Sequence, residues 1–405
     1  MSSRVRVCAL VFVFLCSVVS VARAQDDADP AEAARFHFGA LRFTPSIAVS
    51  NLGVDNNVFN EADNPKQDTT AAVGPAVNLW LNMGKSRVSG KLSGQYLYYQ
   101  EYENQRAWNT VNDGQWELPL SRIKPYVNGA WSDVKDRPGY EIDSRVRLKE
   151  QRAGAGSGLR LSGKTELRMG FQRGQFHYND KDLVVGDQIA RGLDRRTDTE
   201  VLDFRVRLTP LTTFVTQSTA TQERFDTQVF RNANTIAVSP GFEFKPEALI
   251  SGSAFVGIKR FSSLNEEVQD FTGVVANVGA KYIVRATQFE VRVARDLAFS
   301  YQVLQPYYAL TDTGLTVTQR ITYKWDVIGR SSWQSLGYRN VTSAIDLAER
   351  TDHSWQLGAG VGYRVGEVLR IGLDGNYFRR DAPDAEYRNY DGLRIGASFS
   401  YGLPQ

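Results

Sequence analysis

Apolar and polar residues alternate with a period of two along most of this chain. Val88, Leu92, Tyr96 and Tyr98 share one parity, and Arg87, Lys91, Ser93 and Gln95 the other. Leu167, Met169 and Phe171 alternate with Glu166, Arg168 and Gln172; Leu202, Phe204, Val206 and Leu208 alternate with Asp203, Arg205 and Arg207. Trp355, Leu357, Ala359, Val361 and Tyr363 alternate with polar residues and glycines. A helix would need spacings of three and four, so these segments predict strands. From about residue 39 they recur roughly every twenty residues, at 40–52, 68–81, 86–102, 106–118, 123–135, 146–161, 165–178, 193–208, 212–225, 232–245, 249–261, 268–282, 286–301, 306–321, 323–338, 352–365, 368–380 and 388–403. Alternation is blurred in 106–118 and 212–225.

The connections alternate too. After even strands they are tight, as at Asn82-Met83-Gly84-Lys85, Ser162-Gly163-Lys164 and Gly366-Glu367. After odd strands they are often longer and polar, as at 53–67, 136–145, 179–192 and 339–351. Short turns on one side and longer loops on the other is the plan of a membrane barrel. Aromatics cluster near segment ends on the apolar parity: Tyr96 and Tyr98, Phe299 and Tyr301, Trp355 and Tyr363, Phe399 and Tyr401. They would form interfacial girdles. The last segment, with Leu393, Ile395, Ala397, Phe399 and Tyr401 on one face, resembles the terminal strand that closes outer-membrane barrels. A soluble sandwich fits alternation alone, but not the loop asymmetry and girdles as well. The expected fold is all-β: a transmembrane antiparallel up-and-down β-barrel of about 18 strands, with both ends on the short-turn side.

Composition sharpens this. Residues 1–24 have a basic start (Arg4, Arg6), an apolar run from Val7 to Val21, and Ala22-Arg23-Ala24 as a cleavage site, which together predict a secretory signal peptide. Residues 25–38 read as a short acidic, alanine-rich periplasmic tail and 39–405 as the barrel. Both cysteines, Cys8 and Cys16, lie in the signal, so an exported chain carries neither disulfide nor thiol. Removing its three arginines leaves 48 − 3 = 45 basic against 45 acidic residues. That near-zero charge gives a nucleic-acid partner no support. No other apolar run is long enough for a transmembrane helix.

The segment Phe43-Thr44-Pro45-Ser46-Ile47-Ala48-Val49-Ser50-Asn51-Leu52-Gly53-Val54-Asp55-Asn56-Asn57-Val58-Phe59 is more specific. A first strand followed by an Asp-Asn-Asn-Val-Phe loop resembles the opening of the outer-membrane family called putative β-barrel porin 2. The resemblance implies a Gram-negative outer-membrane location and a conduit, with several members associated with export of exopolysaccharide or capsule. It also implies lipid, the barrel-assembly machinery and periplasmic polysaccharide-export components as partners. The chain departs from the usual barrel ending in closing on Gly402-Leu403-Pro404-Gln405 rather than on an aromatic. Asp55-Asn56-Asn57 suits a turn, since short polar side chains satisfy nearby backbone; the sharper alternative is an ion or sugar site at the rim.

Catalytic chemistry finds little to stand on. His37, His177 and His353 are scattered, without metal-ligand spacing, and no cofactor is expected. A hydrolase would draw its base from His177 or His353, but no G-x-S-x-G is present, so an enzyme is not expected. Gly154-Ala155-Gly156-Ser157-Gly158 lies within a predicted strand and is no phosphate loop. Ser121-Arg122-Ile123-Lys124 matches S-x-x-K but sits at a tight turn without companion motifs. Function then falls to the lumen. Arg42, Arg87, Arg168, Arg207 and Arg370 are candidate lumen-lining residues near one end, interleaved with Glu166 and Asp203. Two readings stand: a solvated wall of self-neutralising charge, or a basic zone that guides acidic polysaccharide. The loop 179–192 could fold inward as a constriction or cap the rim. A structural or adhesive barrel with a plugged lumen is the rival to a conduit.

Overall fold

The computed structural model describes residues 31–402 except 33, 138–140, 142–144, 180–191, 247, 345–348, 384, 386 and 387. The signal peptide, nearly all of the 179–192 loop and the last three residues lie outside the described residues. The strands are β1 (Phe36–Phe38), β2 (Leu41–Asp55), β3 (Asp68–Met83), β4 (Ser86–Tyr99), β5 (Ala107–Glu117), β6 (Ile123–Asp136), β7 (Val146–Arg160), β8 (Thr165–Asn179), β9 (Arg195–Arg207), β10 (Thr212–Phe225), β11 (Ala233–Phe244), β12 (Ile250–Ser263), β13 (Phe271–Val284), β14 (Thr287–Phe299), β15 (Tyr307–Arg320), β16 (Trp325–Arg339), β17 (Thr351–Val365), β18 (Leu369–Asp381) and β19 (Tyr390–Tyr401).

Each of β2 to β18 pairs antiparallel with its successor, and β19 returns to β2, closing an eighteen-stranded barrel. Closure leaves no edge strand, as a sheet in lipid requires, since an unpaired backbone group there costs several kcal/mol. The blurred segments form as β5 and β10. Register explains their blur: β5 turns Asn112 outward opposite Leu92 and Trp131, while β10 carries Ser and Thr on both faces. The end of the expected tail is ordered too, Phe36–Phe38 pairing with Leu41–Phe43 as β1.

Register separates the two faces. Outward residues include Leu92, Val127, Met169, Phe171, Val256, Ile258, Leu357, Ile371, Leu373 and Ile395, all large, apolar and exposed, as a lipid-facing belt should be. Tyr96 and Trp108, Trp333 and Trp355, and Trp325 and Tyr363 are neighbouring rings at its edges, with centroids 6.3, 6.0 and 5.0 Å apart. Among the described residues no helix is long and apolar enough to cross a membrane; strands do the crossing.

Two of the departures from the regular ladder shape the barrel's closure and its mouth. In β2, Asn51 adopts φ 52° and the register to both neighbours shifts there. The extra residue flips the parity, so that Ile47 and Val49 below it and Leu52 and Val54 above it all face outward. Glycine at Gly53 is required, since a Cβ would overlap the backbone of Ile395 and Gly396. The second break lies between β13 and β14. Their pairing stops at Ala276 and Arg295, although β12 holds β13 to Phe271 and β15 holds β14 to Phe299.

Candidate functional site: the lumen and its mouth

The inward face is polar and laced with ion pairs. Asp326, fully buried, accepts from Arg364 Nε at 2.6 Å and Arg370 Nη2 at 2.8 Å. Asp374 accepts from Arg330 Nη1 at 3.0 Å and Ser398 Oγ at 2.6 Å. Glu166 accepts from Lys124 Nζ at 3.1 Å and Arg168 Nε at 2.7 Å. Arg205 Nη1 donates to Glu243 at 3.0 Å, and Arg292 Nη2 to Asp312 at 2.8 Å. Glycines on the same parity make room: side chains at Gly156 and Gly362 would collide with Tyr126 and Arg370. The G-x-G-x-G run is therefore a packing feature of β7.

The five arginines singled out from the sequence all take lumen-facing register positions near the short turns. Arg42 lies opposite Trp80, Arg87 opposite Glu117, Arg168 opposite Asp203, Arg207 opposite Thr213 and Arg370 opposite Ser400. They are not one patch. Arg168 and Arg370 are held in the ion pairs above, whereas no ion pair within 4 Å involves Arg42 or Arg87 among the described residues. Asp326, Arg364, Arg330 and Glu243 were not singled out. Only register shows that Arg364 and Arg370, either side of a tight turn, converge on one carboxylate of β16.

The outer mouth is built differently. Where β14 leaves β13, the tip of the β14–β15 hairpin turns into the lumen. Its outward parity, Leu297, Phe299 and Tyr307, then lies on the inward parity of the facing strands. Phe299 meets Phe225 edge-on at 4.7 Å, and Tyr307 lies 4.8 Å from Phe261. The assignment of Phe299 and Tyr301 to the lipid girdle is therefore corrected. Phe299 packs inside the mouth, and Tyr301 lies in the following loop against Tyr178 at 6.4 Å. Their spacing is right for a girdle; the hairpin's bend removes them from the lipid face.

Loops fasten the tip. Buried Arg231 donates to the carbonyls of Pro306 and Gln302 at 2.7 and 3.0 Å, and Tyr307 Oη donates to Gln269 at 2.8 Å. Burial pushes the Arg231 guanidinium down to about 10. From the β6–β7 loop, buried Glu141 accepts from Ser300 Oγ at 2.7 Å and the Tyr301 N–H at 2.8 Å. Burial pushes its carboxyl up, against those two hydrogen bonds and the Arg388 and Arg350 charges. Beneath the tip lies a recess of about 380 Å³ whose lining includes Thr199, Thr221, Glu223, Arg195 and Phe299.

The candidate histidines lie elsewhere. His177 faces outward and bonds Asp194 at 2.7 Å, and His353 stacks on Trp333 at 5.7 Å. Among the described residues no group of three or more His, Cys, Asp or Glu could hold a metal. Asp55-Asn56-Asn57 works as a staple. Asp55 accepts from Arg394 Nε at 2.9 Å, the Asn56 side chain accepts from the Leu393 N–H at 2.7 Å, and Asn57 Nδ2 donates to the Asp391 carbonyl at 2.8 Å.

A model of the family described as putative beta-barrel porin 2 matches residues 29–401. The chain belongs to this family. The staple residues lie within the matched span, at the closure of this porin-type barrel, which resides in the outer membrane. No curated protein matches the sequence. Among solved structures, a BenF-like porin from Pseudomonas fluorescens Pf-5 is 11% identical, covering 90% of this chain and 99% of that one, with a TM-score of 0.47. OpdQ from Pseudomonas aeruginosa is 10% identical, covering 90% and 98%, with a TM-score of 0.46. These likenesses carry no information on substrate.

Proposed function

We propose that this porin-2 barrel is a conduit for hydrophilic solutes across the outer membrane, and that its cargo class is exopolysaccharide leaving the cell. The lumen supports the conduit reading. An eighteen-stranded barrel is wide enough for water, and its wall presents paired charges, hydroxyls and glycines that suit a hydrated chain. Compensated pairs such as Asp374 with Arg330 and Glu243 with Arg205 keep the wall wettable without a fixed charge that would trap a polyelectrolyte. Within that wall, Arg42 and Arg87 supply the anion preference. The family resemblance supports the polysaccharide cargo, and with it periplasmic export components as partners.

The filled mouth favours a second reading, a structural barrel that never conducts. Bilayer recordings of the refolded mature protein separate the two. A conduit gives discrete current steps that an acidic oligosaccharide interrupts from the periplasmic side more than a neutral one. A folded barrel that stays silent under every condition, with its mouth loosened by mutation, is structural. Steps indifferent to oligosaccharide would remove the polysaccharide cargo and leave a solute pore.

A further inference from the structure

The parted seam between β13 and β14 has two half-ladders that still match. The existing ladder runs to Ala276 with Arg295. Continued in the same register, Val275 would face Asp296, Val274 Leu297, Gly273 Ala298 and Thr272 Phe299. Both sides are already extended: β12 holds 271–275 in strand geometry and β15 holds 296–299. Nothing in the local backbone prevents them from joining. In their place, Arg295 bridges the gap, its Nε donating to the Val274 carbonyl at 3.2 Å.

We propose that the β14–β15 tip is a gate with two seats. In the closed seat, seen here, it fills the mouth and leaves the upper seam unpaired. In the open seat it swings into the wall, completes the ladder with residues 272–275 and vacates the mouth. Both seats suit the same side chains. Closed, Leu297, Phe299 and Tyr307 pack on Phe225 and Phe261. Open, the same face would look outward at the upper edge of the lipid belt, where aromatic rings are favoured. The girdle-like spacing of Phe299 in the sequence is the open seat's requirement. Exchange costs the Glu141 and Arg231 contacts and gains ladder hydrogen bonds, so the two states are close enough for a solute or partner to choose between them. The gating role rests on the conduit reading; the two seats do not.

Paired cysteines test it, because the chain has no cysteine beyond Cys16. In the mature barrel, V274C/L297C faces the open-seat partners across antiparallel strands, within disulfide reach only when the ladder is complete. F225C/F299C reports the closed seat. Under oxidant both pairs should cross-link, read as gel mobility shifts reversed by reductant. The V274C/L297C disulfide should hold conductance on and the F225C/F299C disulfide should abolish it. Cross-linking of F225C/F299C alone overturns the open seat. Equal conductance in both locked forms overturns the gate. A barrel that cross-links at both pairs yet never conducts keeps the two seats and overturns the conduit reading.

Discussion

Two seams of the barrel, β19 with β2 and β13 with β14, depart from the regular ladder in opposite ways. The seam between β19 and β2 joins the two ends of the chain and is reinforced by side chains. It has Asp55 with Arg394, amide side chains reaching across from Asn56 and Asn57, and a glycine where the strands come closest. The seam between β13 and β14 joins neighbours through a two-residue turn, with Arg285 at φ 54°, and its upper third is left apart. Chain connectivity explains the difference. Pairing strands separated by the whole chain carries a loop-closure cost that only contacts can offset, so a weak closure seam would open the barrel. Strands tied by a hairpin turn stay together whatever their upper ends do. Movement is therefore tolerable at the local seam and ruinous at the closing one.

The comparison can be broken most strongly at the closure. Asp55 is buried, and Asp55→Ala strands the Arg394 guanidinium, which is only partly exposed. A loss of about 3 kcal/mol is expected. Urea unfolding in lipid vesicles and heat-modifiability on gels should both show it, and an unchanged midpoint would refute the staple. At the other seam, Arg295→Met removes the guanidinium that covers the Val274 carbonyl. About 1 kcal/mol should be lost from the closed seat, raising the open fraction severalfold with little change in overall stability. A stability loss like that of Asp55→Ala would erase the distinction between the seams.

Acidity should act on the parted seam through Glu141. Glu141 is held closed among Ser300, Tyr301, Tyr338, Arg231, Arg350 and Arg388, and its folded carboxyl lies above the ordinary 4.5. The closed seat thus binds more protons than a state that releases Glu141 to water. Closure is strengthened as pH falls through the window between the raised value and 4.5, and weakened above it. Open probability recorded across this range should rise with pH, and Glu141→Gln should flatten the curve. The smallest effect lies in the wall. Replacing Arg42 and Arg87 with Ser should lower anion preference, read as a shift in reversal potential under a salt gradient. Arg370→Ser should instead act on stability, because it takes one of the two arginines from buried Asp326.

Most of the strand layout was legible because lipid imposes a strict alternation on each segment. The closing strand and the lumen parity of Arg42, Arg87, Arg168, Arg207 and Arg370 both follow from that one rule. The unforeseen features depend on register between strands, which a single sequence does not display. Asp326 gathers arginines from two neighbouring strands, and Asp55 gathers one from the far end of the chain. The bend of the β14–β15 tip left no mark in its residues, since Leu297, Phe299 and Tyr307 satisfy a lipid-facing pattern. They are misleading for a physical reason: an aromatic face serves equally at the membrane edge and against other aromatics.

The most direct test is to record single channels of the wild-type barrel beside Phe299→Ala. Losing the ring that packs on Phe225 and Phe261 should weaken the closed seat by about 2 kcal/mol, roughly thirtyfold in the ratio of open to closed. The wild type should then show rare openings and the variant sustained ones, with the same step size in both. Identical, continuously open currents from the two proteins would contradict a mouth closed by the hairpin tip.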